Sequence, residues 1–349
     1  MTTTTTTTDA AASVRYVGVD VAKLTLSVWC AGDARPLGTL PNTPDGWHEL
    51  AAKLASAPSS PAVPLHLVLE PTGGYEARFV QAALGFGWTV SLVNPVRVRQ
   101  WADSQGRRTK NDRQDARMLA DYGSANQPKP WHPVSDEAAH LDTLLHRKAD
   151  LEQMLRQERN RQEAAGLRPQ MAPAVPSSVE RVIAALEEEL RQIEQTIAEL
   201  MGQHPQMKTD ARRLTTVPGI AKKTMLPILT LCQRYAALTE GRGDANGIAA
   251  LVGLDPREFQ SGTSVHRRAT ISRMGDKDLR RRLFMAALGG VHGNNVLKVF
   301  YDKMVARGKP KKLALVAAAR KLLTWAWAVY RDATDFAPEK TLSRKPAPA

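Results

Sequence analysis

Asp20, Glu70, Asp112 and Asp115 are the side chains of this sequence best suited to catalysis. Asp20 closes the apolar run Tyr16-Val17-Gly18-Val19, and Glu70 closes Leu65-His66-Leu67-Val68-Leu69. Asp112 and Asp115 stand three apart in Lys110-Asn111-Asp112-Arg113-Gln114-Asp115-Ala116-Arg117-Met118-Leu119, which reads as the start of a helix. Residues at i and i+3 share a helical face, so both aspartates can aim at one point. Ligands of open α/β sheets gather at the carboxyl ends of strands. An Asp–Glu–Asp–Asp set from two strand ends and one helix suits two divalent cations acting on a phosphodiester. Hard oxygen donors fit magnesium, and converging carboxylates repel one another without a cation between them. Taken singly, each carboxylate also fits a plainer role, as a strand end turning into solvent or a partner of the helix dipole.

The surrounding pattern supplies the elements to hold these groups. Val14–Asp20 predicts a first strand, and Leu24–Cys30 alternates as its hairpin partner. Trp47–Ala55 is helical in pattern, Pro58–Pro64 is a Pro/Ser loop, and Leu65–Leu69 is a buried-type strand. Gly73-Gly74 breaks the chain before a helix over Tyr75–Gly85, and Trp88–Val93 is a strand stopped by Asn94-Pro95. Strands alternating with helices imply a mostly parallel or mixed α/β sheet over 14–134. From Arg97 to Arg113 the expectation is a polar loop, in which Arg97, Arg99, Arg107, Arg108 and Lys110 could grip a phosphate backbone beside the carboxylates.

Two long helices are expected over 135–205. Val179, Ile183, Leu186, Leu190, Ile193, Ile197 and Leu200 step by four and three in an unbroken heptad seam. This predicts a helical hairpin or coiled coil, within or between chains, joined by a Pro-containing linker from Gly166 to Ser178. The part from 206 to 335 reads as mainly helical. Val217-Pro218-Gly219-Ile220 followed by Lys222 and Lys223 resembles the hairpin of a helix-hairpin-helix module, where backbone N–H groups meet a DNA phosphate. Further on, Gln260-Ser261-Gly262-Thr263-Ser264 precedes Arg267, Arg268, Arg273, Arg280 and Arg281. A serine among arginines can attack a phosphodiester, because the cations stabilise the charge that develops.

Charge separates the two ends of the chain. Net charge is +13 over 349 residues. Residues 206–349 hold 27 Lys/Arg against 11 Asp/Glu, whereas residues 1–205 hold 21 against 24. Such asymmetry points to a polyanion, nucleic acid above all, held by the C-terminal part. The two cysteines, Cys30 and Cys232, form no CxxC pair, and the eight histidines lack metal spacing. A zinc site or disulfide framework is therefore not expected, and a reducing cytoplasm is. No membrane span and no signal peptide are expected. Residues 1–13, with threonine from Thr2 to Thr8, and 336–349 read as tails.

Several motifs in order resemble transposases of the IS110 insertion-sequence family, relatives of the Piv-type DNA invertases. They are Gly18-Val19-Asp20-Val21-Ala22-Lys23, Glu70-Pro71-Thr72-Gly73, Val93-Asn94-Pro95, and Asp112-Arg113-Gln114-Asp115-Ala116-Arg117-Met118-Leu119-Ala120. Val217-Pro218-Gly219-Ile220, Leu251-Val252-Gly253-Leu254-Asp255-Pro256-Arg257 and Ser261-Gly262-Thr263-Ser264 continue the series. The resemblance implies a ribonuclease H-like (RuvC-like) N-terminal domain whose tetrad, Asp20, Glu70, Asp112 and Asp115, binds Mg2+. It implies a nucleophilic Ser261 that forms a phosphoserine link to DNA, with Ser264 a supporting hydroxyl. It also implies a structured bridge RNA that pairs with target and donor DNA, and a homo-oligomer, dimer or tetramer, with composite active sites. A prokaryotic, nucleoid-associated location follows. The other readings are a RuvC-like junction nuclease using water, a non-enzymatic nucleic-acid-binding protein, and a sugar-kinase-like ATPase. The last lacks a Gly-rich phosphate loop beside Asp20.

Overall fold

The structure, a computed structural model, describes residues 14–56, 63–106, 112–167, 171–261 and 265–339; the side chains of 112–113 and 258–269 lie outside that description. The chain divides into two compact units, 1–132 and 133–349.

The first unit is built on β1 (Arg15–Val21), β2 (Thr25–Cys30), β3 (Gly38–Pro41), α1 (Pro44–Ala55), β4 (Leu65–Leu69), α2 (Ala77–Gly85), β5 (Thr89–Leu92), α3 (Pro95–Ser104) and α4 (Asp112–Asn126). The sheet order is β3-β2-β1-β4-β5. β1, β4 and β5 run parallel, while β2 and β3 are antiparallel additions. Strand alternation sorts the side chains onto two faces. Val17, Val19, Leu67 and Leu69 pack with Trp47, Leu50 and Phe79 of α1 and α2. On the other face, Val68 packs with Val98 and Leu119, and Trp29 with Ala116 and Ala120 of α4. The sheet is thus covered on both sides, as parallel strands require.

Two expectations are corrected in this unit. β3 was not foreseen; it is four residues long and buries only Leu40. The segment after Asn94-Pro95 was expected to be a loop, but Pro95–Ser104 is helical. Asn94 caps that helix, its Oδ1 accepting from Val96 N at 2.9 Å, and Pro95 sits at the first helical position, where its missing N–H costs nothing. The dipeptide that ends β5 also starts α3.

The second unit comprises α5 (Asp136–Gly166), α6 (Ala174–Gln203), α7 (Pro205–Thr215), α8 (Lys222–Thr239), α9 (Ala245–Val252), β6 (Pro256–Ser261), β7 (Val265–Ile271), α10 (Lys277–Gly290), α11 (Val296–Ala306) and α12 (Lys311–Arg331). α5 and α6 form an antiparallel pair tied by Lys148–Glu194 at 2.6 Å and Arg159–Glu187 at 2.8 Å. The joining segment is shorter than expected, since α6 begins at Ala174 and takes Pro176 into its first turn, where proline is tolerated. No stretch of membrane-spanning length was expected, yet α12 is long and apolar enough to cross a membrane by length and composition. Its Ala318, Leu322, Leu323 and Trp327 are buried in the core shared with α7–α10. Trp327 also donates its ring N–H to the Gly243 carbonyl at 2.9 Å. Cys30 and Cys232 are both free and buried, and burial pushes the Cys30 thiol up to about 11.

Candidate active site

Glu70 sits half-buried just past β4, and Asp20 is the penultimate residue of β1. The parallel register pairs Val19 with Leu69, so the next residues on each strand, Asp20 and Glu70, stand side by side at the carboxyl ends. α4 brings the helical contribution. It crosses β1 at Gly18, where an added Cβ would lie 2.0 Å from the Ala116 carbonyl oxygen and 2.4 Å from the Ala120 nitrogen. Only glycine permits that approach. It places Asp115, one residue before Ala116, at the end of β1 that carries Asp20.

Electrostatics reports the same convergence. Burial pushes the Glu70 carboxyl above the usual range, and the charges of Asp115 and Asp20 push it further; the Arg99 guanidinium works against both. Three of the four expected carboxylates, with Arg99 of α3, therefore share one electrostatic neighbourhood. Asp112 opens α4, and its side chain lies outside the described residues. Among the described residues no three carboxylate, histidine or cysteine side chains are drawn close enough to enclose a metal ion. Mutually repelling, oxygen-only donors are nevertheless the set a hard divalent cation relieves.

The raised Glu70 carboxyl sets a pH-dependent stability. A folded-state pKa above the unfolded one means that ionising Glu70 costs stability. The cost is absent below the unfolded pKa, about 4.3, and is fully present once pH has risen through the folded one. In metal-free buffer Glu70→Gln is expected to melt higher than wild type at neutral pH, and level with it near about pH 4. Thermal melts across pH check this; a Glu70→Gln protein that melts at or below wild type at pH 7 contradicts it.

Glu76, which the sequence reading passed over, fixes the loop that follows Glu70. One of its oxygens accepts from Thr72 N, Thr72 Oγ1 and Gly74 N, each at 3.0 Å. Burial opposes its ionisation, but its own backbone N–H together with those donors holds the carboxyl below the ordinary range. Gly73 and Gly74 adopt φ of +72° and +103°, which lets the turn point its amides inward. The signal available in the sequence was the Gly-Gly pair, which marks a turn but not its anchor.

The expected phosphate-binding residues are placed unevenly. Arg97 and Arg99 are exposed on α3, Lys222 and Lys223 are exposed in the first turn of α8, and Arg273 is exposed with a φ of +56°. Gly219, at φ +97°, packs against α10, where an added Cβ would lie 2.8 Å from the Ala286 carbonyl oxygen. Arg281 pairs with Asp278 at 3.3 Å. Arg280 donates through Nη1 to the carbonyls of Val252 at 2.8 Å and Gly275 at 2.9 Å. That clamps the two segments from which the β6–β7 hairpin rises. Ser261 ends β6 and pairs with Val265; its side chain and those of Arg267 and Arg268 lie outside the described residues, as do Arg107, Arg108, Lys110 and Ser264 entirely.

A parallel-centred sheet covered by helices, with strand-end carboxylates and a mainly helical basic second unit, is compatible with an enzyme acting on nucleic acid. Comparison with known proteins is more specific. Residues 17–165 match a family described as Transposase, and 211–302 match the Transposase IS116/IS110/IS902 family. The chain is 34% identical over 328 residues to the pilin gene-inverting protein of Moraxella bovis, spanning 93% of this chain and 98% of that one. The protein of the same name from Moraxella lacunata is 33% identical over 326 residues, with the same coverage. An uncharacterized 43.6 kDa protein of insertion element IS110 from Streptomyces coelicolor is 30% identical over 170 residues, 48% of this chain and 38% of that protein. The chain belongs to the IS110 family of transposases, enzymes of DNA recombination.

Proposed function

We propose that this protein is an RNA-guided DNA recombinase that uses a magnesium-binding carboxylate tetrad and a serine nucleophile. The observation that supports the reading is the parallel pairing of Val19 with Leu69, which sets Asp20 and Glu70 at adjacent strand ends, together with the close approach of α4 to Gly18. Asp20, Glu70, Asp112 and Asp115 would hold Mg2+. When bound, Mg2+ neutralises charge on the scissile phosphate and its leaving oxygen.

Ser261 supplies the nucleophile. Its Oγ forms a bond to phosphorus as one phosphorus–oxygen bond of the strand breaks. The freed sugar oxygen takes up a proton in place of the one the serine gives up. Attack by another strand's sugar hydroxyl reverses the exchange and restores the serine. Each step trades one phosphate ester for another, so no nucleotide triphosphate is consumed. Family resemblance supports a bridge RNA that selects target and donor DNA, and an oligomer in which tetrad and serine come from different protomers. Met154, Val175 and Val182, left exposed on the α5–α6 pair, are apolar surface available to such an assembly.

The test is to trap the intermediate. Purified protein with its co-purified RNA is incubated with Mg2+ and a suicide DNA substrate, and denaturant-stable protein–DNA adducts are measured. Adducts carrying phosphoserine are expected, and Asp20→Asn, Asp115→Asn or EDTA removes them. Metal-dependent cleavage without any adduct would instead identify a nuclease that uses water. Sequencing the bound RNA tests the guide.

Glu76 gives this site a graded probe. Glu76→Ala frees the turn after Glu70, and supporting residues of metal ligands typically govern affinity about 10–100-fold. The Mg2+ concentration for half-maximal thermal stabilisation is expected to rise about tenfold in Glu76→Ala. Glu76→Gln keeps an acceptor for the amides and stays nearer wild type. Identical Mg2+ titrations of wild type and Glu76→Ala contradict the role.

A further inference from the structure

Between Asp302 and Asp332 the chain carries eight lysines and arginines and no carboxylate. Five of them, Lys303, Arg307, Lys309, Lys311 and Lys312, fall within ten residues at the turn from α11 to α12, and all five are exposed. Several other cations of this unit are matched with acids: Arg212 with Asp335, Arg281 with Asp278, Lys298 with Asp302 and Arg331 with Asp332. Among the described residues, none of the five forms an ion pair.

Their placement sets like charges beside one another. Lys303 in the last turn of α11 and Arg307, its C-cap, stand at i and i+4 and repel each other, although the negative end of the α11 dipole favours a cation there. Lys311 and Lys312 occupy the first turn of α12, at the positive end of its dipole, and Pro310 offers that end no side-chain cap. The turn holds them in a fixed arrangement. Gly308, at φ +75°, donates to the Val305 carbonyl at 2.9 Å, and Lys309 N donates to Met304 at 3.2 Å, closing α11 with a Schellman pattern. Pro310 then starts α12 at once. A polyanion laid across the turn relieves every one of these repulsions together.

We propose that the α11–α12 turn is a contact surface for a phosphodiester backbone, binding successive phosphates without reading bases. A duplex presents one charge per about 1.7 Å of its axis, dense enough to engage several of these cations together. The surface rests on the reading of the protein as a nucleic-acid recombinase. It adds a binding element that is remote in sequence from both the carboxylates and Ser261.

The test compares wild type with the triple variant K309Q/K311Q/K312Q on two probes of unrelated sequence, a short DNA duplex and an RNA hairpin. Affinity is measured across about 50–200 mM salt. Each lost phosphate contact lowers the slope of log affinity against log salt by about 0.9, so a decrease of about two to three is expected. Binding at the lowest salt is expected to weaken about tenfold or more, and the melting temperature to hold or rise as repulsion is removed. A loss confined to the DNA probe or to the RNA probe identifies which backbone the turn holds. If the triple variant melts lower, the single variants K309Q and K311Q decide, each with a slope decrease of about one. Unchanged slope and affinity in variants that fold, beside a wild type that binds, overturn this surface and leave the functional reading standing. A wild type that binds neither probe overturns both.

Discussion

Gly18→Ala is expected to abolish recombination and to lower the melting temperature of the N-terminal unit by about 10 °C. The added methyl would lie 2.0 Å from the Ala116 carbonyl oxygen, 2.4 Å from the Ala120 nitrogen and 2.9 Å from Leu119 Cβ. The first two are backbone atoms, so no side-chain rotation makes room. Either α4 lifts from β1 or β1 deforms. Overpacking a core typically costs about 1–3 kcal/mol, and a backbone obstacle falls at the upper end or above. The helix that moves is the one carrying Asp112 and Asp115, so the carboxylates are pulled apart even in molecules that remain folded. Gly85→Ala is the control, because nothing lies within 4 Å of the added methyl there. Its stability is expected to match or slightly exceed wild type. Thermal melts and the adduct assay on both variants check this. A Gly18→Ala protein that melts like wild type and forms adducts would show that α4 need not approach β1 so closely.

Gly18 also illustrates what the sequence made legible. Its run of small and β-branched residues ending in Asp20 reads as a buried strand, because strand alternation is a local signal. The parallel neighbour ending in Glu70 reads the same way, so two strand-end carboxylates were visible before any fold was known. Arg280 shows the opposite case. Within a run of arginines it looks like a phosphate ligand, since charge is all that a sequence displays. Its acceptors are the carbonyls of Val252 and Gly275, the first of them 28 residues distant. Glu76 was hidden for a related reason. Its three donors exist as a cluster only once Gly73 and Gly74 have turned the backbone to positive φ. Groups whose partners are set by chain turning or by distant carbonyls leave no periodic trace.

Ser261→Ala is expected to reduce covalent protein–DNA adducts by about 10³-fold or more, below detection in a gel assay. In the proposed reaction no other atom of the protein bonds to phosphorus, so loss of Oγ removes the intermediate rather than slowing its formation. The change should be silent elsewhere. Alanine keeps the backbone pairing of position 261 with Val265, and the clamp of Arg280 on Val252 and Gly275 holds the base of the hairpin independently. Melting temperature, RNA binding and DNA binding are therefore expected to stay at wild-type values. Ser264→Ala separates the two serines: adducts should persist, at reduced yield if Ser264 only supports the attack. Residual strand cleavage in Ser261→Ala must be measured beside the adducts, because the proposed metal-binding carboxylates would also be able to direct water. Cleavage at the wild-type rate with no adduct in either protein would make the enzyme a hydrolytic nuclease. Adducts at wild-type yield in Ser261→Ala would place the nucleophile on another residue of the chain.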